Sequence, residues 1–174
     1  MDFSSAFDWI PRNSLFYKLA CLGLSSKIIC ILQLSYENTT SKIFYSNTFS
    51  ESFNVDLGVQ QGCILSPILF AMYLNDLNDV LPGGVAVDNI HIKVLLYADD
   101  IVILSDSSFQ LQDMINVLFN YCQMWNLKVN MDKSKVLVFR NGPRIPHNLK
   151  CNFGEDSIDI VNSKYLGMEL TYNL

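Results

Sequence analysis

One stretch limits what this chain can fold into more than any other: Val94-Leu95-Leu96-Tyr97-Ala98-Asp99-Asp100-Ile101-Val102-Ile103-Leu104. Two apolar, β-rich runs are joined only through Ala98, Asp99 and Asp100, which is hairpin geometry. The apex holds two adjacent carboxylates and lacks the Gly or Asn that usually make such turns. An unpaired carboxylate that is even partly buried costs several kcal/mol. The pair therefore reads either as a plain polar turn or as half of a cation site, since hard divalent ions choose carboxylate oxygens.

A second carboxylate-bearing segment opens the chain, Asp2-Phe3-Ser4-Ser5-Ala6-Phe7-Asp8, which reads as a strand end running into a turn at Trp9-Ile10-Pro11. Alone it is uninformative, because an Asp near a terminus is usually just solvated. It gains meaning beside the hairpin. Two ions that clamp the attacking and leaving oxygens of a phosphoryl transfer need carboxylates from more than one strand. A third segment, Gly58 to Pro67 (GVQQGCILSP), feeds a loop with two glycines into a helix. Such a loop is either an ordinary connection or a place where backbone and a helix N-terminus approach phosphate.

The remaining pattern sets these segments in an α+β layer, an antiparallel sheet with helices on one face. Leu15, Phe16, Leu19 and Leu22 recur at helical spacing over Arg12 to Leu22, and Gly23 marks a stop. A helix is expected over Ser26 to Leu34 and a hairpin over 38 to 57. Ser66-Pro67 predicts an N-cap and first-turn proline for a helix that ends at Pro82-Gly83-Gly84. Ser107-Ser108-Phe109-Gln110 has the form of a capping box, followed by Leu111, Met114, Ile115, Leu118, Cys122 and Trp125 at helical period. Strands follow near Lys135 to Phe139, Ser157 to Val161 and Tyr165 to Leu170, with turns at Asn141-Gly142-Pro143 and Gly154-Glu155-Asp156.

Composition excludes other classes. The 174 residues are half apolar and 17% charged, so the chain folds, as one domain or one substantial piece of a larger one. Five cysteines without a C-x-x-C pair, and histidines only at 91 and 147, suggest neither a disulfide framework nor zinc, and fit a reducing compartment. No leader and no apolar run of about 18 residues is present, which predicts an intracellular chain without membrane partners. The net charge is −5, yet residues 128 to 150 carry six basic side chains against Asp132 alone, a local +5 that leaves −10 elsewhere. That run is either a solvated face or a phosphate-neutralising one. No loop has the spaced Asp-x-Asp-x-Asp-Gly ligands of a calcium site.

Taken together and in this order, the segments resemble the palm of a reverse transcriptase, most closely those of non-LTR retrotransposons. DFSSAFD is similar to the family's first palm motif, GVQQGCILSPILF to its second and YADDIVIL to its third. Leu127 to Lys133 (Leu-x-Val-Asn-x-x-Lys) resembles the fourth, and Tyr165-Leu166-Gly167-Met168 the primer-grip segment. The resemblance implies that Asp2, Asp99 and Asp100 carry two Mg2+ ions, with Mn2+ as a substitute. Phe3 and Phe7 would lie at the incoming nucleotide, Phe7 as a steric gate against a ribose 2′-hydroxyl, and Gln61 and Gly62 would flank nucleotide and template base. Tyr97 would lie under the primer end, and Tyr165 to Met168 would hold the primer strand. Lys133 would protonate the departing pyrophosphate, although an ordinary surface lysine explains it equally. The implied partners are an RNA template, a DNA primer and deoxynucleoside triphosphates.

Against the family pattern, the chain begins one residue before Asp2 and stops at Leu174, so residues 1–174 are expected to be a palm without fingers or thumb. Gln60 stands where many relatives carry a basic residue and Asn126 where many have glycine. The leading expectation is an RNA-directed DNA polymerase fragment, weak or silent by itself. The alternative is a non-catalytic remnant that survives as a nucleic-acid-binding or interaction module.

Overall fold

The computed structural model describes residues 1–4, 6–139 and 150–160, together with the backbone of 163–165 and 168–170. The first half holds β1 (Asp2–Phe3), α1 (Ala6–Trp9), α2 (Arg12–Cys21), α3 (Ser26–Tyr36), β2 (Thr40–Ser41), β3 (Phe44–Tyr45), β4 (Thr48–Phe49), β5 (Phe53–Asn54), α4 (Ser66–Tyr73) and α5 (Leu77–Val80). Then come β6 (Val85–Val87), β7 (Ile90–Ile92), β8 (Val94–Tyr97), β9 (Asp100–Ile103), α6 (Ser108–Trp125), β10 (Val129–Asn130), β11 (Lys135–Val136), β12 (Cys151–Phe153), β13 (Asp156–Ile160), β14 (Ser163–Tyr165) and β15 (Met168–Leu170). Two compact units result: residues 1–6 with 76–174, and residues 7–75.

The first unit is built on a four-stranded antiparallel sheet in the order β10-β1-β9-β8. Its hairpin matches the sequence expectation, with Val94 opposite Ile103 and Tyr97 opposite Asp100. The turn is tighter than expected: only Ala98 and Asp99 lie outside the strands, and Ala98 takes a left-handed φ of 51°. Two-residue hairpin loops require such a φ to match the strand twist. The short β1 is held from both sides, Asp2 opposite Asn130 on β10 and opposite Asp100 on β9.

Helix α6 follows the expected stripe, with Met114, Ile115, Leu118, Tyr121 and Cys122 buried. Ser107 caps it, its Oγ accepting from the Gln110 amide at 3.2 Å. The reciprocal half of the capping box is displaced: the Gln110 side chain accepts from Ser105 Oγ and the Asp106 amide. The helix ends on Asn126 at φ 55°. Asn tolerates the left-handed region nearly as glycine does, which accounts for asparagine at this position. Against α6 lies β12, an element absent from the sequence expectation; the Gln112 side chain both donates to Asn152 O and accepts from its N–H, each at 2.8 Å. β12 pairs antiparallel with β13, and β13 pairs in parallel with β11. The expected single strand over Tyr165 to Leu170 is instead two, β14 and β15, paired with Tyr165 opposite Met168. Leu166, Gly167 and the Asn141 to Pro143 turn lie outside the described residues.

In the second unit, α2 packs against α3 and α4 around Leu15, Leu19, Leu69, Phe70 and Tyr73. Residues 40–54 form the expected hairpin as two nested pairs, β2 with β5 and β3 with β4, around Ser46 and Asn47, both at positive φ. Arg12 clasps its base, donating to Tyr36 O at 3.0 Å and Thr39 Oγ1 at 3.2 Å on one side and to Gly58 O at 3.0 Å on the other. Lys18 is buried because its ammonium finds Tyr73 O, 2.7 Å away, at the end of α4.

Two expectations for the helix after the Gly58 to Pro67 loop are corrected. Ser66 is the first helical residue and not the cap; Leu65 precedes it in helical φ/ψ with no side-chain bond, and Ser66 Oγ donates to Gln60 O at 2.6 Å. Nor does the helix run to Pro82. It breaks after Tyr73 and resumes as α5, because Asn75 and Asp76 are weak helix formers and the Asp76 carboxylate accepts from the buried Tyr121 hydroxyl at 2.6 Å.

Candidate active site

Strand β1 and the turn and second strand of the β8–β9 hairpin deliver the carboxylates in the first unit. Phe3 N–H donates to Asp99 O at 3.2 Å and Ile101 N–H to Met1 O at 2.8 Å, so β1 is threaded beside the hairpin turn. Phe3, expected beside the nucleotide, is buried at 2% exposure and serves the site through this backbone bond. Asp2, Asp99 and Asp100 are half-buried, and Tyr97 is exposed. Burial holds the Met1 ammonium below its ordinary pKa, a shift opposed by the charges of Asp100 and Asp2.

On the far side of β1, Asn130 builds a turn. Its carbonyl accepts from the Ser134 amide at 3.0 Å and from Ser134 Oγ at 2.7 Å, and its side chain accepts from the Lys133 amide at 3.3 Å. Because Asn130 sits opposite Asp2 in the ladder, this turn carries Lys133 to it: Lys133 Nζ lies 3.2 Å from Asp2 Oδ2. The ammonium is thus ion-paired at the surface rather than standing alone.

The donor chemistry of these three carboxylates suits a hard divalent cation. Strand register sets the α-carbons of Asp2 and Asp100 on neighbouring strands, with Asp99 in the adjoining turn. Among the described residues, however, no three His, Cys, Asp or Glu side chains stand close enough together to hold one ion. The Asp2 oxygen is turned to Lys133 instead.

In the second unit, Phe7 packs against Phe70 in a tilted arrangement, ring centroids 5.1 Å apart, and its carbonyl accepts from Val59 N–H at 2.8 Å. Gln61 is exposed and its Nε2 donates to Asp8 Oδ1 at 2.7 Å. Gly62, at φ 82°, has open space where a Cβ would sit. The partners that Asp8 and Asn130 find were not legible, since nothing in their local sequence marks them. The basic run is partly neutralised: besides Lys133, Lys135 pairs with Asp159 at 2.9 Å. No helix among the described residues is long and apolar enough to cross a membrane.

Comparison with known proteins agrees with the motifs. The family model for reverse transcriptase (RNA-dependent DNA polymerase) matches residues 1–170. The chain is 28% identical, over 98% of its length, to the retrovirus-related Pol polyprotein from type-2 retrotransposable element R2DM of Drosophila melanogaster. It is 26% identical, over its full length, to the RNA-directed DNA polymerase from mobile element jockey of Drosophila funebris. It spans 17% and 19% of the length of these two relatives.

Proposed function

The chain belongs to the reverse transcriptase family, and from that premise we infer that it is the palm of an RNA-directed DNA polymerase that extends a primer 3′ end with deoxynucleotides. One observation carries this reading. The first- and third-motif carboxylates, almost a hundred residues apart, are brought onto paired strands, Asp2 opposite Asp100 and Phe3 bonded to Asp99.

In this reading Asp2, Asp99 and Asp100 hold two Mg2+ ions, or Mn2+ in their place. The ions, when bound, supply the charge that activates the primer hydroxyl and steadies the leaving pyrophosphate. Phe7, braced by Phe70, presents the ring that excludes a 2′-hydroxyl. Gln61, its amide oriented by Asp8, and Gly62, which leaves its surroundings open, serve the incoming nucleotide. Tyr97 supports the primer end from the hairpin, and the segment Tyr165 to Met168 holds the primer strand. Lys133 donates the proton that pyrophosphate needs on leaving.

The test is primer extension on an RNA template with deoxynucleotides and Mg2+ or Mn2+, beside Asp99→Asn. A signal at least about a hundredfold above that variant is expected, since loss of one charge-stabilising contact costs about 10² to 10³ in rate. Equal background in both would overturn the catalytic reading and favour a non-catalytic nucleic-acid-binding module.

A further inference from the structure

The Asp2 carboxylate has two claimants. Its side chain is only 15% exposed, so water does little for its charge, and Lys133 Nζ stands 3.2 Å from Oδ2. The lysine is 68% exposed, a flexible stem reaching in from solvent. Its anchor is rigid, because the Asn130 turn that carries it is bonded at three points and is in register with Asp2. A hard cation bound through Asp2 draws on the same carboxylate charge that the ammonium holds. Two like charges cannot share it without strong repulsion. Lys135, two residues on, has its own acid in Asp159 and makes no such claim.

We propose that Lys133 is a built-in competitor of the divalent ion for Asp2, so that ion loading and lysine release are a single exchange. The inference rests on the polymerase reading of the carboxylates. Coupling of this kind is reciprocal: by whatever factor the lysine weakens ion binding, the ion weakens the lysine's hold on Asp2. The lysine is thus set free only once its carboxylate is occupied, which ties its availability as a proton donor to a loaded site. It positions the carboxylate beforehand and sets the ion's affinity.

The experiment is Mn2+ titration of the full chain at low salt, followed by the electron paramagnetic resonance of the free ion, which needs no turnover. Lys133→Met is expected to bind Mn2+ about two- to fivefold more tightly than the parent, the range of a partly exposed ion pair. Lys133→Arg is expected to bind no tighter than the parent, and Lys135→Met to bind as the parent does. Unchanged or weaker binding by Lys133→Met, with Asp99→Asn still impairing binding, would overturn the exchange and leave the metal reading standing. Equal binding by the parent and Asp99→Asn would overturn both. NMR of 13C-methylated lysines guards against a folding defect in the variant: the Lys133 signal is expected to move on adding Mg2+ in the parent and to stay fixed in Asp2→Asn. A signal that does not move in the parent overturns the proposal.

Discussion

Asp2 and Asp100 are direct partners across the β1–β9 ladder, and Asp99 is bonded through its carbonyl to the residue after Asp2. Like charges placed opposite one another in a sheet destabilise it by a few tenths to about 1 kcal/mol. Asp99→Asn removes a third like charge beside that pair while keeping the backbone bond, and Asn is at home in a two-residue turn. Its melting temperature in chelator is therefore expected to equal or exceed the parent's by about 1–4 °C, as scanning fluorimetry can show. Mg2+ should raise the parent's melting temperature and leave the variant's unchanged, because only a ligand that binds the folded state stabilises it.

The hairpin at Val94 to Leu104 was legible because its signal is local: apolar runs on either side of a polar break. So was α6, whose five buried residues repeat the period written in the sequence. What escaped was long-range or set by competition between side chains. Two-residue β1 was read as a strand end, but nothing local showed that β9 and β10 would flank it. The break between α4 and α5 depends on a hydroxyl from Tyr121, 45 residues away from Asp76. Of the site, the carboxylates could be read from their motifs, whereas the partners Lys133 finds in Asp2 and Gln61 finds in Asp8 follow from tertiary placement alone.

Gly58 is fixed by two independent constraints. Its φ is 77°, and a Cβ there would lie 2.6 Å from Phe7 O and 2.8 Å from Asp8 O. The backbone on both sides is tied down by Gly58 N–H to Ile10 O at 2.9 Å and Val59 N–H to Phe7 O at 2.8 Å. Gly58→Ala is expected to cost about 2–4 kcal/mol, combining left-handed strain with overpacking against backbone. Urea unfolding measures it, and a change under about 1 kcal/mol would contradict the geometry.

Arg12 closes the 38–57 hairpin through four neutral acceptors and lies 4.9 Å from the Tyr36 ring centroid. A planar fork reaches both flanks of the hairpin at once; an ammonium cannot. Arg12→Ala is expected to lose about 2–3 kcal/mol, the worth of a charge-assisted set, and Arg12→Lys to recover less than half. Limited proteolysis should then cut the hairpin sooner than any other part of residues 7–75.

The cysteines separate by environment. Burial pushes the Cys122 thiol up to about 12 and raises that of Cys151, whereas Cys21 and Cys30 are exposed. At pH 8 the first two are protonated and shielded, so the exposed pair should react with a thiol reagent in the native protein, and Cys122 and Cys151 only after unfolding. The sign of the linked stability follows from the raised folded-state value. Below pH 9 folded and unfolded chains both keep the Cys122 proton and stability does not depend on it. Between pH 9 and about 12 the unfolded chain gives up that proton while the folded chain retains it, so stability falls with rising pH. Cys122→Ala leaves a cavity and lowers stability throughout, yet it should flatten this alkaline decline, and a slope equal to the parent's in denaturant midpoints between pH 9 and 10.5 would show that Cys122 is not its source.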